Sequence, residues 1–219
     1  MITYEQLLEN PEIKTYVSKA DAALAALGYT EHNLAHTGKV ASAADYILKT
    51  LGYSERDCEL AKIAALLHDI GNLANRENHS TSGAVMAFSV LRDLGMPFDE
   101  IATVVSAIGN HDEGTGNPID PIAAALILAD KSDVRRSRVR NDDFASFDIH
   151  DRVNYSVEAS ELVISEDKRH CRLNLTIDTN HGSVMDYFEI FMERMQFCRK
   201  ASAKLGLKFE LSINEFSLI

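Results

Sequence analysis

Two stretches of small and aliphatic residues run straight into an acid. Ala64-Ala65-Leu66-Leu67 is followed by His68-Asp69-Ile70-Gly71, and Ala123-Ala124-Ala125-Leu126-Ile127-Leu128-Ala129 by Asp130. A segment without a polar face predicts a helix buried all round. An ionised carboxylate at the end of such a helix is costly unless something compensates it. The simplest compensation is a cation. Neighbouring residues at a helix end project about 100° apart, so His68 and Asp69 can both reach one metal beyond the helix tip. Two buried acids at the ends of two apolar runs are hard to explain unless they share that cation.

The rest of the chain predicts the helices that would bring those ends together. Thr3 and Gln6 have capping-box spacing, so a helix starts at Tyr4. Residues 11–27 keep a helical period up to Gly28. Thr30 or Glu31 opens the next helix, which runs to Gly52 with His36, Val40 and Ala44 on its inward stripe. Ser54, with Asp57 in the first turn, caps the helix that carries His68 and Asp69. Residues 72–78 read as a loop, and Asn78 as the cap of a helix from His79 to Gly95. Another helix covers 98–108. Asp120-Pro121 opens one over 122–138 that carries Asp130. Residues 141–151 are polar and read as a connection. Beyond them, residues 161–165 and 171–177 predict two strands, 184–205 a helix and 208–213 a third strand.

With 46% hydrophobic and 25% charged residues the composition supports a folded core. The net charge of −11 argues against a nucleic-acid partner or an anionic membrane surface. Three cysteines without CxxC spacing suggest reduced thiols. With no apolar leader and no run long enough to span a bilayer, the expected location is the cytoplasm.

His36, His68-Asp69, His79, His111 and Asp130 are all imidazole or carboxylate groups, the ligand types of iron, manganese, zinc or magnesium. Three blocks, EHNLAHTGKV at 31–40, LLHDIG at 66–71 and ADKSD at 129–133, set out the order H…HD…D. This order resembles the HD-domain superfamily of metal-dependent phosphohydrolases, over about residues 31–134. HSTSGA at 79–84 and NHDEG at 110–114 resemble its dinuclear branch, which includes the HD-GYP phosphodiesterases. Where the HD-GYP pattern has Lys, His and Tyr, this chain has Asn72, Asp112 and Asn117, which speaks against cyclic dinucleotide hydrolysis.

The expected fold is mainly α: a helical HD bundle over 1–140, as the resemblance implies, with a small α+β (β-β-α-β) extension over 141–219 read from the residue periodicity. The resemblance implies two divalent metals per chain (iron, manganese, magnesium or zinc). His36, His68, Asp69 and Asp130 hold one, and Asp69, the catalytic carboxylate, bridges to a second held by His79 and His111. Asp112 stands evenly between ligand and loop residue. Two metals about 3.5–4 Å apart generate hydroxide at neutral pH and stabilise an in-line displacement. The expected reaction is cleavage of a phosphomonoester or phosphodiester in a small nucleotide-like substrate. Lys131 and Arg138, about 100° and 80° around the helix from Asp130, are expected to bind the phosphate, with Arg76. The basic run 131–140 equally suits a helix C-terminus. His32 reads as a helix-surface residue or a partner of the ligands in preference to a proton donor, and His150, His170 and His181 are surface residues. The alternative is a ligand-sensing module that keeps the metal without turnover. A homodimer is allowed for.

Overall fold

The computed structural model describes residues 1–217. Its axis is α4 (Glu55–Leu67), in which every residue from Ile63 to Leu67 is buried. The Ser54 hydroxyl accepts from the Asp57 N–H and the Asp57 carboxylate from the Ser54 N–H, so a capping box sets where α4 starts. Around it stand α1 (Tyr4–Glu9), α2 (Pro11–Ala26), α3 (Leu34–Leu51), α5 (His79–Asp93), α6 (Phe98–Gly109) and α7 (Pro121–Ser132). α7 is buried from Ile122 to Ala129 and packs against α3 and α4. The two apolar runs are therefore the two innermost helices, and both end at the same side of the bundle.

After the polar connection come α8 (Ile149–Ser156), β1 (Val157–Ile164), β2 (His170–Ile177), α9 (Val184–Lys204), β3 (Lys208–Ile213) and β4 (Phe216–Ser217). The sheet order is β1-β2-β3-β4. β1 and β2 form an antiparallel hairpin, β2 and β3 run parallel across α9, and β4 turns back along β3. Cys171, Leu173, Leu175 and Ile177 alternate inward on β2, as a half-buried strand requires. α9 lies on α7 and β3, and the apolar core continues from the bundle into the sheet.

Several boundaries differ from the sequence expectation. α3 is capped by Asn33, whose Oδ1 accepts from Ala35 and His36, instead of by Thr30 or Glu31. Asn78 precedes α5 with φ 57° and makes no side-chain cap. α7 stops at Ser132, six residues early, and Asp133 leaves helical geometry. The polar connection holds the start of an unexpected helix, α8, capped by Asp148. β1 begins four residues before 161, and a fourth strand follows β3. The extension is thus α-β-β-α-β-β. None of the described helices is long and apolar enough to cross a membrane.

Candidate metal centre

The ends of α4 and α7, the first turns of α3 and α5, and the second residue after α6 bring four imidazoles and two carboxylates together. His36 Nε2 lies 3.4 Å from Asp130 Oδ1 and 3.8 Å from Asp69 Oδ2. His68 Nε2 lies 3.0 Å from Asp69 Oδ2 and 3.7 Å from Asp130 Oδ1. On the other side of Asp69, Oδ1 is 3.6 Å from His79 Nε2 and 4.0 Å from His111 Nε2. All six residues predicted as ligands converge, with Asp69 presenting one oxygen to each half. Asp112 stands at the edge, its Oδ1 3.9 Å from His79 Nε2.

The other ring nitrogen of each histidine is already engaged. Nδ1–H of His36 donates to Asp133 Oδ2 (2.8 Å), that of His68 to the Ala65 carbonyl (2.7 Å), that of His79 to the Arg76 carbonyl (3.1 Å) and that of His111 to the Ile108 carbonyl (2.6 Å). These acceptors fix the tautomer, so each neutral ring turns an Nε2 lone pair inward. His36 Nε2 and His68 Nε2 are buried without a hydrogen-bond partner. His79 Nε2 and His111 Nε2 face each other at 3.2 Å. Two lone pairs at that distance repel unless a cation or a proton lies between them. Burial pushes both imidazoles down, His111 to about 3 with His68 and Lys131 adding to the effect, so a shared proton is the poorer solution.

The electrostatics agree with a cation site. Burial opposes ionisation of Asp69 and Asp130. His68 overcomes it for Asp69, and Lys131 followed by His36 and His68 for Asp130, so both carboxyls stay well below the usual range. Burial pushes His68 down, but the Asp69 and Asp130 carboxylates outweigh it and raise the imidazole. A bound cation would take over the charge balance that the His68 proton otherwise provides and leave His68 neutral to ligate. Histidine and carboxylate donors suit first-row divalent ions, so the donor set fits the implied group.

Among residues the sequence left without a role, Asn72 donates through Nδ2 to Asp69 Oδ1 and to the Asp69 carbonyl, both at 2.9 Å. Asp133 aligns His36 and is itself held by Arg135 Nε at 2.8 Å. A third acid three residues after Asp130 was the available signal for it.

A cavity of about 440 Å³ opens onto Asp69, Asp130, His79 and His111, within the size range of small-molecule sites. Arg76, Lys131 and Arg138 all line it. Lys131 Nζ is 2.8 Å from Asp130 Oδ2 and 2.5 Å from Glu113 Oε2. Arg76 Nη1 lies 3.5 Å from His79 Nε2, with its guanidinium over the Tyr29 ring. Arg138 arrives by another route than the helical arc expected of it. It sits in a short 3₁₀ turn after α7, where Nε and Nη1 donate to the carbonyls of Glu31 and Asp133. His32 also lines the cavity: its Nδ1–H donates to the Thr30 carbonyl and burial holds the ring well below its ordinary pKa. His150, expected at the surface, is exposed but stands at the cavity mouth. Glu113 and Arg194 are further lining residues the sequence did not mark. Burial opposes ionisation of Glu113, yet Lys131 and then Arg194 pull its carboxyl down to about 2.

Comparison with known proteins fits this geometry. Residues 33–135 match the family model of the HD domain. The chain is similar to the uncharacterized protein MJ1020 of Methanocaldococcus jannaschii, 27% identical over 89% of this chain and 83% of the relative. It is also similar to ribonuclease Y of Aliarcobacter butzleri, 33% identical over 54% of this chain, and to ribonuclease Y of Bacillus subtilis, 29% identical over the same share. The matched stretch spans about a fifth (21%) of each ribonuclease Y. A crystal structure from an uncultured Thermotogales bacterium, described as a predicted HD superfamily hydrolase, aligns with a TM-score of 0.44 at 28% identity, covering 57% of this chain and 67% of that one.

Proposed function

We propose that this chain, whose residues 33–135 match the HD-domain family model, is a metal-dependent phosphohydrolase. Its substrate is a phosphomonoester or phosphodiester of a small nucleotide-like molecule, and its site is of the dinuclear kind. The observation that carries the reading is the arrangement of four histidines whose Nδ1 atoms are all committed to acceptors. Their Nε2 atoms surround Asp69 and Asp130, and two of them are buried without a partner.

His36, His68, Asp69 and Asp130 would hold one ion, and Asp69 with His79 and His111 would hold a second. A divalent pair supplies Lewis acidity there, making water acidic enough to ionise near neutral pH and offsetting phosphoryl charge. The protein supplies position and further charge. Asn72 keeps the Asp69 carboxylate oriented between the halves. Lys131 and Arg76 point cationic N–H groups into the cavity beside the two halves. Arg138, anchored through Nε and Nη1, borders the same space. His32, kept neutral by burial and held by the Thr30 carbonyl, lines the cavity wall.

The ribonuclease Y likeness supports a phosphodiester as one possible bond. The net charge of −11 favours a small molecule over RNA.

The test is metal content by elemental analysis, together with hydrolysis of generic phosphoesters and nucleotides after manganese or iron loading. About two ions per chain are expected, falling to about one in the His79→Ala, His111→Ala double variant, with turnover lost. One ion per chain, unchanged in that variant, would reject the dinuclear site. Bound metal with no turnover on any phosphoester would reject the enzyme in favour of a metal-containing sensing module.

A further inference from the structure

Arg194 belongs to α9, 59 residues beyond the end of the HD match at residue 135, yet its side chain lines the cavity that holds Asp69 and Asp130. Its guanidinium is stacked on the Phe191 ring at 4.3 Å, which restricts its rotamers. Its Nε is buried and makes no hydrogen bond; the nearest carboxylate oxygen, Glu113 Oε1, is 3.6 Å away. The other oxygen of Glu113 is 2.5 Å from Lys131 Nζ. Lys131 in turn touches Asp130. One carboxylate thus lies between two cations on one wall of the cavity, paired closely with Lys131 and only loosely with Arg194. An oxyanion bridging two cations is also what a phosphate group is, and Arg presents a planar fork that matches it.

We infer that Lys131 and Arg194 form an anion subsite beside the metal centre, with the Glu113 carboxylate standing where a second phosphate of the substrate binds. The inference rests on the phosphohydrolase reading for the identity of the anion, and it narrows the substrate to molecules carrying a diphosphate or longer phosphate chain. Lys131 serves the phosphate nearest Asp130, and Arg194 the one beyond. Glu113 yields its place to the incoming anion, so it lowers the affinity for that anion, and in the ligand-free protein it keeps Arg194 from being an uncompensated charge. The C-terminal α+β segment then supplies part of the substrate site and sets specificity.

A purely structural ion-pair clamp fastening α9 to the bundle makes a different forecast. The two are separated by calorimetric titration of inorganic pyrophosphate and orthophosphate into the chelator-treated full chain, at constant ionic strength. Wild type should bind pyrophosphate more tightly than orthophosphate. Arg194→Gln should weaken pyrophosphate about tenfold or more, since it removes a charge-assisted pair, and Arg194→Lys should restore part of the loss. Glu113→Gln should bind pyrophosphate several-fold more tightly, because the competing carboxylate is gone. A clamp predicts the opposite sign for Glu113→Gln, which would then weaken binding and lower the ligand-free melting temperature as Arg194→Gln does. Weaker binding in Glu113→Gln, affinity within twofold of wild type in Arg194→Gln, or no preference for pyrophosphate each overturns the subsite. No metal takes part in this assay, so a chain that binds no metal would sink the proposed function and leave this result standing. A failed titration would leave the metal reading intact.

Discussion

Gly71 offers the sharpest test of how the bundle builds its centre. It follows Asp69 in the 3₁₀ turn Ile70–Leu73, which packs on the start of α5. A Cβ at this position would lie 1.9 Å from the His79 carbonyl oxygen, 2.4 Å from the Gly83 amide nitrogen and 2.8 Å from Ser82 Oγ. The first two are backbone atoms of α5 and cannot rotate away. To restore a 3.4 Å contact, the first turn of α5 must retreat by roughly 1.5 Å in a close-packed interior. Overpacking of this kind costs about 1–3 kcal/mol, and a backbone obstacle puts Gly71→Ala at the upper end. For a chain of this size that is a fall of about 6–12 °C in melting temperature. The retreat carries His79 with it, whereas metal–ligand distances tolerate only about 0.2 Å. Gly71→Ala should therefore lose the His79–His111 half of the centre and keep the half built by His36, His68 and Asp130. Elemental analysis and thermal denaturation read both effects. Gly38→Ala is the control: it lies inside α3 with nothing within 4 Å of the added methyl and should stabilise by about 0.4–1 kcal/mol. A Gly71→Ala protein with wild-type melting temperature and metal content would refute the packing argument.

Asp133→Asn removes the charge that aligns His36 through the 2.8 Å bond to Nδ1, and metal affinity should fall about 10–100-fold. Chelator competition measures it, and unchanged affinity would show that Asp133 serves only Arg135 and Arg138. Metal at 100 times its dissociation constant should stabilise the fold by about 2.7 kcal/mol, so chelation should lower the melting temperature, and indifference to chelators would count against any metal role. The three cysteines are buried and burial raises their pKa, Cys171 to about 11. No thiol should react with Ellman's reagent in the native protein near neutral pH, and all three should after denaturation. Because the Cys171 thiol pKa is higher folded than unfolded, its contribution to stability is complete below about pH 9 and is lost as pH rises toward about 11. A flat alkaline denaturation profile would contradict that.

The helical body was legible because its signals are local. The capping boxes Thr3–Gln6 and Ser54–Asp57 set helix starts through bonds three residues apart. The apolar runs of α4 and α7 exceed what an amphipathic helix needs, so their central position followed from composition alone. What escaped reading depends on partners distant in sequence. No Gly or Pro ends α7; it ends where Asp133 turns to His36, 97 residues away. α8 hides in a polar stretch because it shows little apolar surface, although Asp148 accepting from the Asp151 N–H is an ordinary N-terminal cap. β1 lacks clean alternation at its start because its register shifts between Val157 and Ala159.

The same division separates the ligand-type residues from those that would recognise a substrate. The ligand-type residues here are histidines and acids in an apolar setting, an anomaly visible in one dimension at His68, Asp69 and Asp130. An arginine that lines the cavity looks in sequence like any polar position on a helix. Arg194 falls among Glu193, Gln196 and Arg199 on α9 and is set apart only when α9 is laid on α7. That placement buries its Nε and brings Glu113 between it and Lys131. The ligand-type residues therefore stand out in sequence because they are wrong for their local surroundings. The cations that line the cavity are ordinary for theirs and are brought together only by the packing of α9 on the bundle.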